Sequence, residues 1–199
     1  MKALFLFLLI TSSIFAFSIN DSLLSVHATL VPKISLMDYQ FKEKIKENTI
    51  TIAIMYKNSE YKDAKSLKKK IDSRYKDGIK SFKVKSIIVS YSDISKTDAN
   101  VYYLFPSDEK NIKASVKQAG KNHALTFSYL KEDLKYGVMI SLNVSKKIKP
   151  VLNLSAIKLH KITFRPVLID ISTIYTYGEK SWLNKLKSRS LNMPYTFVV

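Results

Sequence analysis

Cysteine is absent from the 199 residues. That absence removes disulfide scaffolds, thiolate metal sites, cysteine nucleophiles and lipid attachment at an N-terminal cysteine. Glycine is scarce too: Gly78, Gly120, Gly137 and Gly178 lie too far apart to build a phosphate-cradling loop. Among the 33 basic residues only Arg74, Arg165 and Arg189 are arginine, leaving thirty lysines, against 16 acidic residues. Phosphate and base recognition favour the guanidinium fork. A net charge of +17 held by lysine therefore reads first as solvated basic surface. Attraction to anionic lipid head groups or to an acidic partner is the milder functional reading, and no nucleic-acid partner is expected. What is present is 46% hydrophobic and 12% aromatic residues at a mean hydropathy of −0.05. These values fit one globular domain, without internal repeats or low-complexity linkers.

The start carries one basic residue, Lys2, an apolar core from Ala3 to Ile10, and small residues at Ala16 and Ser18. This is the three-part pattern of a secretory signal peptide, with cleavage expected after Ala16 or Ser18. The run falls short of the ~18 residues of a lasting membrane span, an uncleaved anchor being the competing reading. No later stretch approaches spanning length, so the mature chain is expected to be exported and not membrane-spanning. In a bacterium with two membranes, that places it in the periplasm.

Asp21 to Glu47 has helical spacing, with Pro32 expected as a kink or break between two pieces. TITIAIMY over Thr49 to Tyr56 reads as a strand covered on both sides. Ser59 is expected to cap a helix with Ala64, Leu67, Ile71 and Tyr75 on its apolar stripe, Lys65, Lys68, Lys69 and Lys70 on other faces, and Gly78 at its close. Further strands are expected over Val84 to Tyr91, Asn100 to Phe105, His123 to Ser128 and Gly137 to Val144, with Val151 to Leu154 as a hairpin return. A helix starting at Asp108 is expected to end at Gly120. Short helices are expected over Leu130 to Tyr136, Ser155 to His160 and Pro166 to Ile174. Strands alternating with helices predict an α/β fold: a single three-layer domain, a mostly parallel sheet of about six strands with an edge β-hairpin, and helices on both faces. The division is a signal peptide over 1–18, the α/β domain over 21–178 and a C-terminal extension over 179–199.

Catalysis needs convergent titratable or nucleophilic groups. His27, His123 and His160 lack metal-pair spacing and read as packed or surface imidazoles. No serine sits in a Gly-x-Ser-x-Gly elbow. Asp63, Asp72, Asp77, Glu132 and Asp133 lie among lysines and read as exposed ion pairs. Asn143-Val-Ser145 and Asn153-Leu-Ser155 match a glycosylation acceptor by chance. No catalytic residue, metal ligand or cofactor site is expected, and the chain is read as a non-enzyme.

Leu125-Thr126 with Ser128, then Gly137-Val-Met139-Ile140 with Ser141-Leu142, and then Val151-Leu-Asn153-Leu154 with Ala156 follow one another along the second half of the chain. In the order and spacing of these motifs, the stretch from His27 to about Tyr175 resembles the YfiR/HmsC family of exported bacterial proteins. In the first half the resemblance rests more loosely on Ile50-Thr-Ile-Ala-Ile54 and Asn100-Val-Tyr-Tyr-Leu104. The aromatic-Trp-Pro that commonly follows the first helix is replaced by Met37-Asp-Tyr-Gln-Phe41, and the cysteines of some members are missing. The resemblance implies a periplasmic regulator that binds the periplasmic sensory domain of an inner-membrane diguanylate cyclase and restrains cyclic di-GMP production and biofilm. It also fits a homodimer. A periplasmic small-ligand binder serving a sensor or transporter is the alternative. Within the motif, Gly137 suits a turn of positive φ, and Asn153 can satisfy backbone groups where a strand meets a helix.

Overall fold

A computed structural model describes residues 19–144 and 148–176. The expected signal peptide, its cleavage sites at Ala16 or Ser18, and the extension over 179–199 lie outside the described residues.

Seven strands form one sheet: β1 (Thr49–Tyr56), β2 (Lys83–Ser90), β3 (Val101–Leu104), β4 (Leu125–Ser128), β5 (Ile140–Val144), β6 (Ile148–Leu152) and β7 (Thr173–Ile174). Their spatial order is β2-β1-β3-β4-β5-β6-β7. Neighbours run parallel except β5 and β6, which pair antiparallel from Ile140 opposite Leu152 to Val144 opposite Ile148. The α/β fold class and the hairpin thus stand, with one difference at the margin. Two residues of β7 pair with Val151 and Leu152, so the hairpin is one strand in from the edge.

Alternation along the central strands divides the core in two. Ile50, Ile52, Ile54, Tyr103, Phe105 and Phe127 join a cluster with α1 (Asp21–Ser35), α2 (Tyr61–Arg74) and α4 (Leu154–Leu159). Ala53, Met55, Tyr102 and Leu104 join the opposite cluster with α3 (Glu109–Lys121). Burial on both faces explains why TITIAIMY reads as continuously apolar.

The helices begin and end for local reasons. Asn20 caps α1, its side chain accepting from the Ser22 and Leu23 amides. Pro32 lies buried inside the last turn of α1 rather than dividing two helices. Only three helical residues follow it, so the one intrahelical bond it forgoes, to the Ala28 carbonyl, falls near the end of the helix and does not divide it. A separate 3₁₀ turn over Phe41–Lys44 supplies the second helical piece. Ser59 is not the cap of α2; it sits in a 3₁₀ turn over Asn58–Glu60 with its hydroxyl on the Glu60 carboxylate. The α2 stripe Ala64, Leu67 and Ile71 is buried, and Gly78 follows at φ +81° after Tyr75. Asp108 caps α3 through the Asn111 amide. Gly120 does not stop α3, which continues to Lys121. A Cβ on Gly120 would lie 2.7 Å from the His160 ring, so this glycine permits a close approach. Leu130 to Tyr136 contains a 3₁₀ turn over Lys131–Tyr136. The last helix, α5 (Pro166–Ile171), ends early because Thr173 and Ile174 pair with β6.

Candidate partner-binding surface

The titratable groups do not converge. His27 on α1 is fully buried, with Nδ1 2.5 Å from the Tyr103 hydroxyl and its ring against Tyr103 and Tyr129. Burial pushes its pKa down to about 4, so it is neutral at pH 7. Among the described residues its Nε2 has no hydrogen-bond partner. Partial burial lowers the pKa of His160, with His123 contributing by charge repulsion. The fold therefore brings His123 and His160 near one another, which their sequence separation did not reveal. Among the described residues no group of three or more His, Asp or Glu side chains could hold a metal ion.

Of the carboxylates read as exposed ion pairs, Asp72 fits: its side chain takes Lys68 at 2.6 Å and the Ser86 hydroxyl at 2.5 Å. Asp133 does not. It is buried in the turn after β4 and accepts a hydrogen bond from Ser128. Burial raises its pKa, with the Ser128 bond pulling the other way. That pairing orders the 3₁₀ turn: Ser128 Oγ also accepts from the Leu130 amide.

The motif residues are packed around the same turn. Gly137, at φ +95°, ends it in the left-handed region. The Met139 amide donates to Thr126 Oγ1, and Met139 and Ile140 are fully buried. Asn153 links three elements: Nδ2 donates to the Leu134 carbonyl, Oδ1 accepts from the Ala156 amide at the start of α4, and its own amide bonds Met139. Ala156 is buried beneath α4, whereas Leu154 stands partly exposed.

Two surface features remain. The strand order reverses between β1 and β3, where α/β sheets commonly open a ligand crevice. A hollow of about 500 Å³ lies near these strand ends, lined by Lys57, Asn58, Ser59, Ser90, Ser92 and Asn111 among others. Several of its polar groups already have partners: Ser92 donates to Ser90 Oγ, and Asn111 to Ser107 and Asp108. Lys57 pairs with Asp108 at 2.8 Å, and Tyr91, buried beside it, donates to the Phe105 carbonyl.

The second feature is apolar. Among the described residues, six of the nine large hydrophobic side chains left exposed fall between positions 154 and 174: Leu154, Leu159, Val167, Ile169, Ile171 and Ile174. Leu159 is 77% exposed and Val167 52%. They ride on α4, α5 and β7 at the hairpin side of the sheet. Concentrated in one stretch of chain, they offer apolar area for an interaction. Sequence held a signal for it. In PVLIDI over α5 only Leu168 is buried, so the helix carries more apolar residues than its inward face can use. Among the described residues no helix is long and apolar enough to cross a membrane.

A family model described as YfiR/HmsC-like matches residues 35–173. No curated protein matches the chain. Among solved structures, the chain is similar to a conserved domain protein from Vibrio cholerae O1 biovar eltor at 13% identity and a TM-score of 0.54, covering 77% of this chain and 60% of that one. It is more distantly similar to the ABC domain from Streptococcus pneumonia solved in complex with L-Trp, at 11% identity and a TM-score of 0.47, over 71% and 60% of the two chains. The first likeness is one of fold, and the chain spans about 60% of the length of the solved proteins it matches.

Proposed function

We propose, from the premise that the chain belongs to the YfiR/HmsC-like family, that it is a periplasmic regulator without catalytic activity of its own. It binds the periplasmic sensory domain of an inner-membrane signalling enzyme, a diguanylate cyclase, and restrains cyclic di-GMP production. The family match carries the reading, and the exposed apolar surface of α4, α5 and β7 gives it a place to act. Val167 and Ile171 are the proposed centre of the contact. The mechanism is a population shift: the regulator holds the enzyme in its inactive state by the difference in its affinity for the two states. Such a role needs a complementary surface rather than an active site. In-cell cross-linking followed by purification tests it. The expected product is a complex with an inner-membrane protein bearing a periplasmic sensor domain, lost when Val167 and Ile171 are replaced by aspartate. Recovery of no membrane partner would overturn the reading.

The alternative of a small-ligand binder draws on one observation, the hollow at the β1/β3 reversal. A screen of metabolites for thermal stabilisation separates the two. Stabilisation by one compound, abolished by Asn58→Ala or Asn111→Ala in that hollow, would favour it.

A further inference from the structure

The net charge of +17 is unevenly placed. Within the described residues, 61–85, which make α2 and the start of β2, hold ten cations and three anions, whereas residues 19–60 hold five of each, residues 86–144 seven cations and six anions, and residues 148–176 four cations and one anion. All of residues 61–85 lie at one margin of the molecule, because β2 is the terminal strand on that side of the sheet. Two cations are tied into the fold: Lys68 holds Asp72 and the Ser86 carbonyl, and Lys70 holds Asp21. Lys62, Lys65, Lys69, Arg74, Lys83 and Lys85 are exposed and form no ion pair in the described structure.

This face is ridged. Lys69 and Ser73 form a crest between two shallow grooves. One, of about 650 Å³, lies toward α1 with Ser25, Ser66, Lys70 and Arg74. The other, of about 530 Å³, lies toward β2 with Lys65, Lys68 and Ile88. A partly apolar groove beside α1 continues the first through Ser25 and Arg74 to Val26 and Leu30. Cations on flexible stems, interleaved with hydroxyls and a little apolar surface, suit a fluid array of anionic head groups: the stems lie along the surface while the ammonium groups reach outward. A folded acidic partner would be better matched by guanidinium forks, and nine of the ten cations here are lysine.

We infer that the α2 and β2 margin is an electrostatic docking surface for an anionic lipid bilayer. This rests on charge placement and geometry alone, and is independent of the partner proposed for the opposite side of the sheet. At about a fivefold gain in partition for each basic side chain brought to an anionic surface, three such lysines are worth about a hundredfold.

Vesicle sedimentation tests it, using the chain as expressed with phosphatidylglycerol and with phosphatidylcholine vesicles at about 0.05 M salt, where screening is weak. The readout is the difference between the two lipids, so apolar segments that enter either bilayer cancel. The expected result is preference for phosphatidylglycerol, lost at about 0.5 M salt and reduced about a hundredfold by Lys62→Gln, Lys65→Gln and Lys69→Gln together. Removing the same charge from exposed positions on α3, by Lys110→Gln, Lys117→Gln and Lys121→Gln, should change it only a few-fold. No preference for the anionic lipid, or equal loss in the two triple variants, would overturn the proposal. So would an absence of vesicle binding alongside retention on a polyglutamate resin that the α2 variant loses, which would assign the face to an acidic protein.

Discussion

At the residue scale, His27 contributes to the response to acid. Its pKa is about 4 in the fold and about 6.5 when unfolded, so between those values the unfolded chain binds more protons. Stability therefore falls as pH drops from about 6.5 to about 4, and His27 contributes no further loss below that. The shift corresponds to about 3 kcal/mol over the window. Replacing His27 by glutamine should remove most of this slope in denaturant titrations at pH 7 and pH 4.5, whatever it does to stability at pH 7. An unaltered slope would show that the imidazole is not the sensor. Asn153 makes a second prediction. Asn153→Ala loses both the cap of α4 and the bond to the Leu134 carbonyl, and should cost about 2–3 kcal/mol. Asn153→Ser keeps a capping oxygen without the donor to Leu134 and should cost less. Equal losses would mean that the cap contributes little.

Residues also show where sequence stops short. Asn153 and Gly137 could be read because their roles are local, a cap and a turn of positive φ. Asp133 could not, since its burial depends on Ser128 reaching back from the end of β4. Gly120 read as a helix stop because the sequence does not show His160, forty positions on, lying against it. That contact is measurable. Glycine costs a helix interior about 1 kcal/mol relative to alanine. Gly120→Ala should therefore stabilise by about that amount in a His160→Ala background, and by less where the histidine ring must move aside. The same gain in both backgrounds would contradict the close approach.

At the scale of elements, α2 was the most legible. Ala64, Leu67 and Ile71 recur at threes and fours, and all three are fully buried beneath it. Leu67→Ala should cost about 2–5 kcal/mol, read as a lower denaturation midpoint at unchanged denaturant sensitivity. Helical periodicity puts its lysines on the wet side but does not put them at the margin of the sheet, because strand order depends on which strands pair and not on their succession. β7 escaped for a different reason: two residues carry no period, and Thr173 and Ile174 continue the apolar character of α5. The early stop of α5 matters, since it turns Ile171 and Ile174 toward the surface instead of closing another helical turn.

At the scale of the whole molecule, the sheet separates two surfaces. One margin, at α2 and β2, is basic and lysine-rich; the other, at α4, α5 and β7, carries most of the large hydrophobics exposed among the described residues. A regulator of a membrane-anchored enzyme would use both, one side held near the bilayer and the other against its partner. The missing cysteines acquire meaning at this scale as well: with no thiol in the chain, such regulation cannot be switched by disulfide exchange within it. The central claim is restraint of a cyclase through the apolar side. The measurement that meets it most directly is cellular cyclic di-GMP in a strain lacking this protein, complemented either by the wild-type chain or by one carrying Val167→Asp and Ile171→Asp. The account predicts a raised level on deletion, restored by the wild-type chain and not by the double variant present at equal abundance. A level unchanged by deletion, or restored equally by both chains, would contradict it.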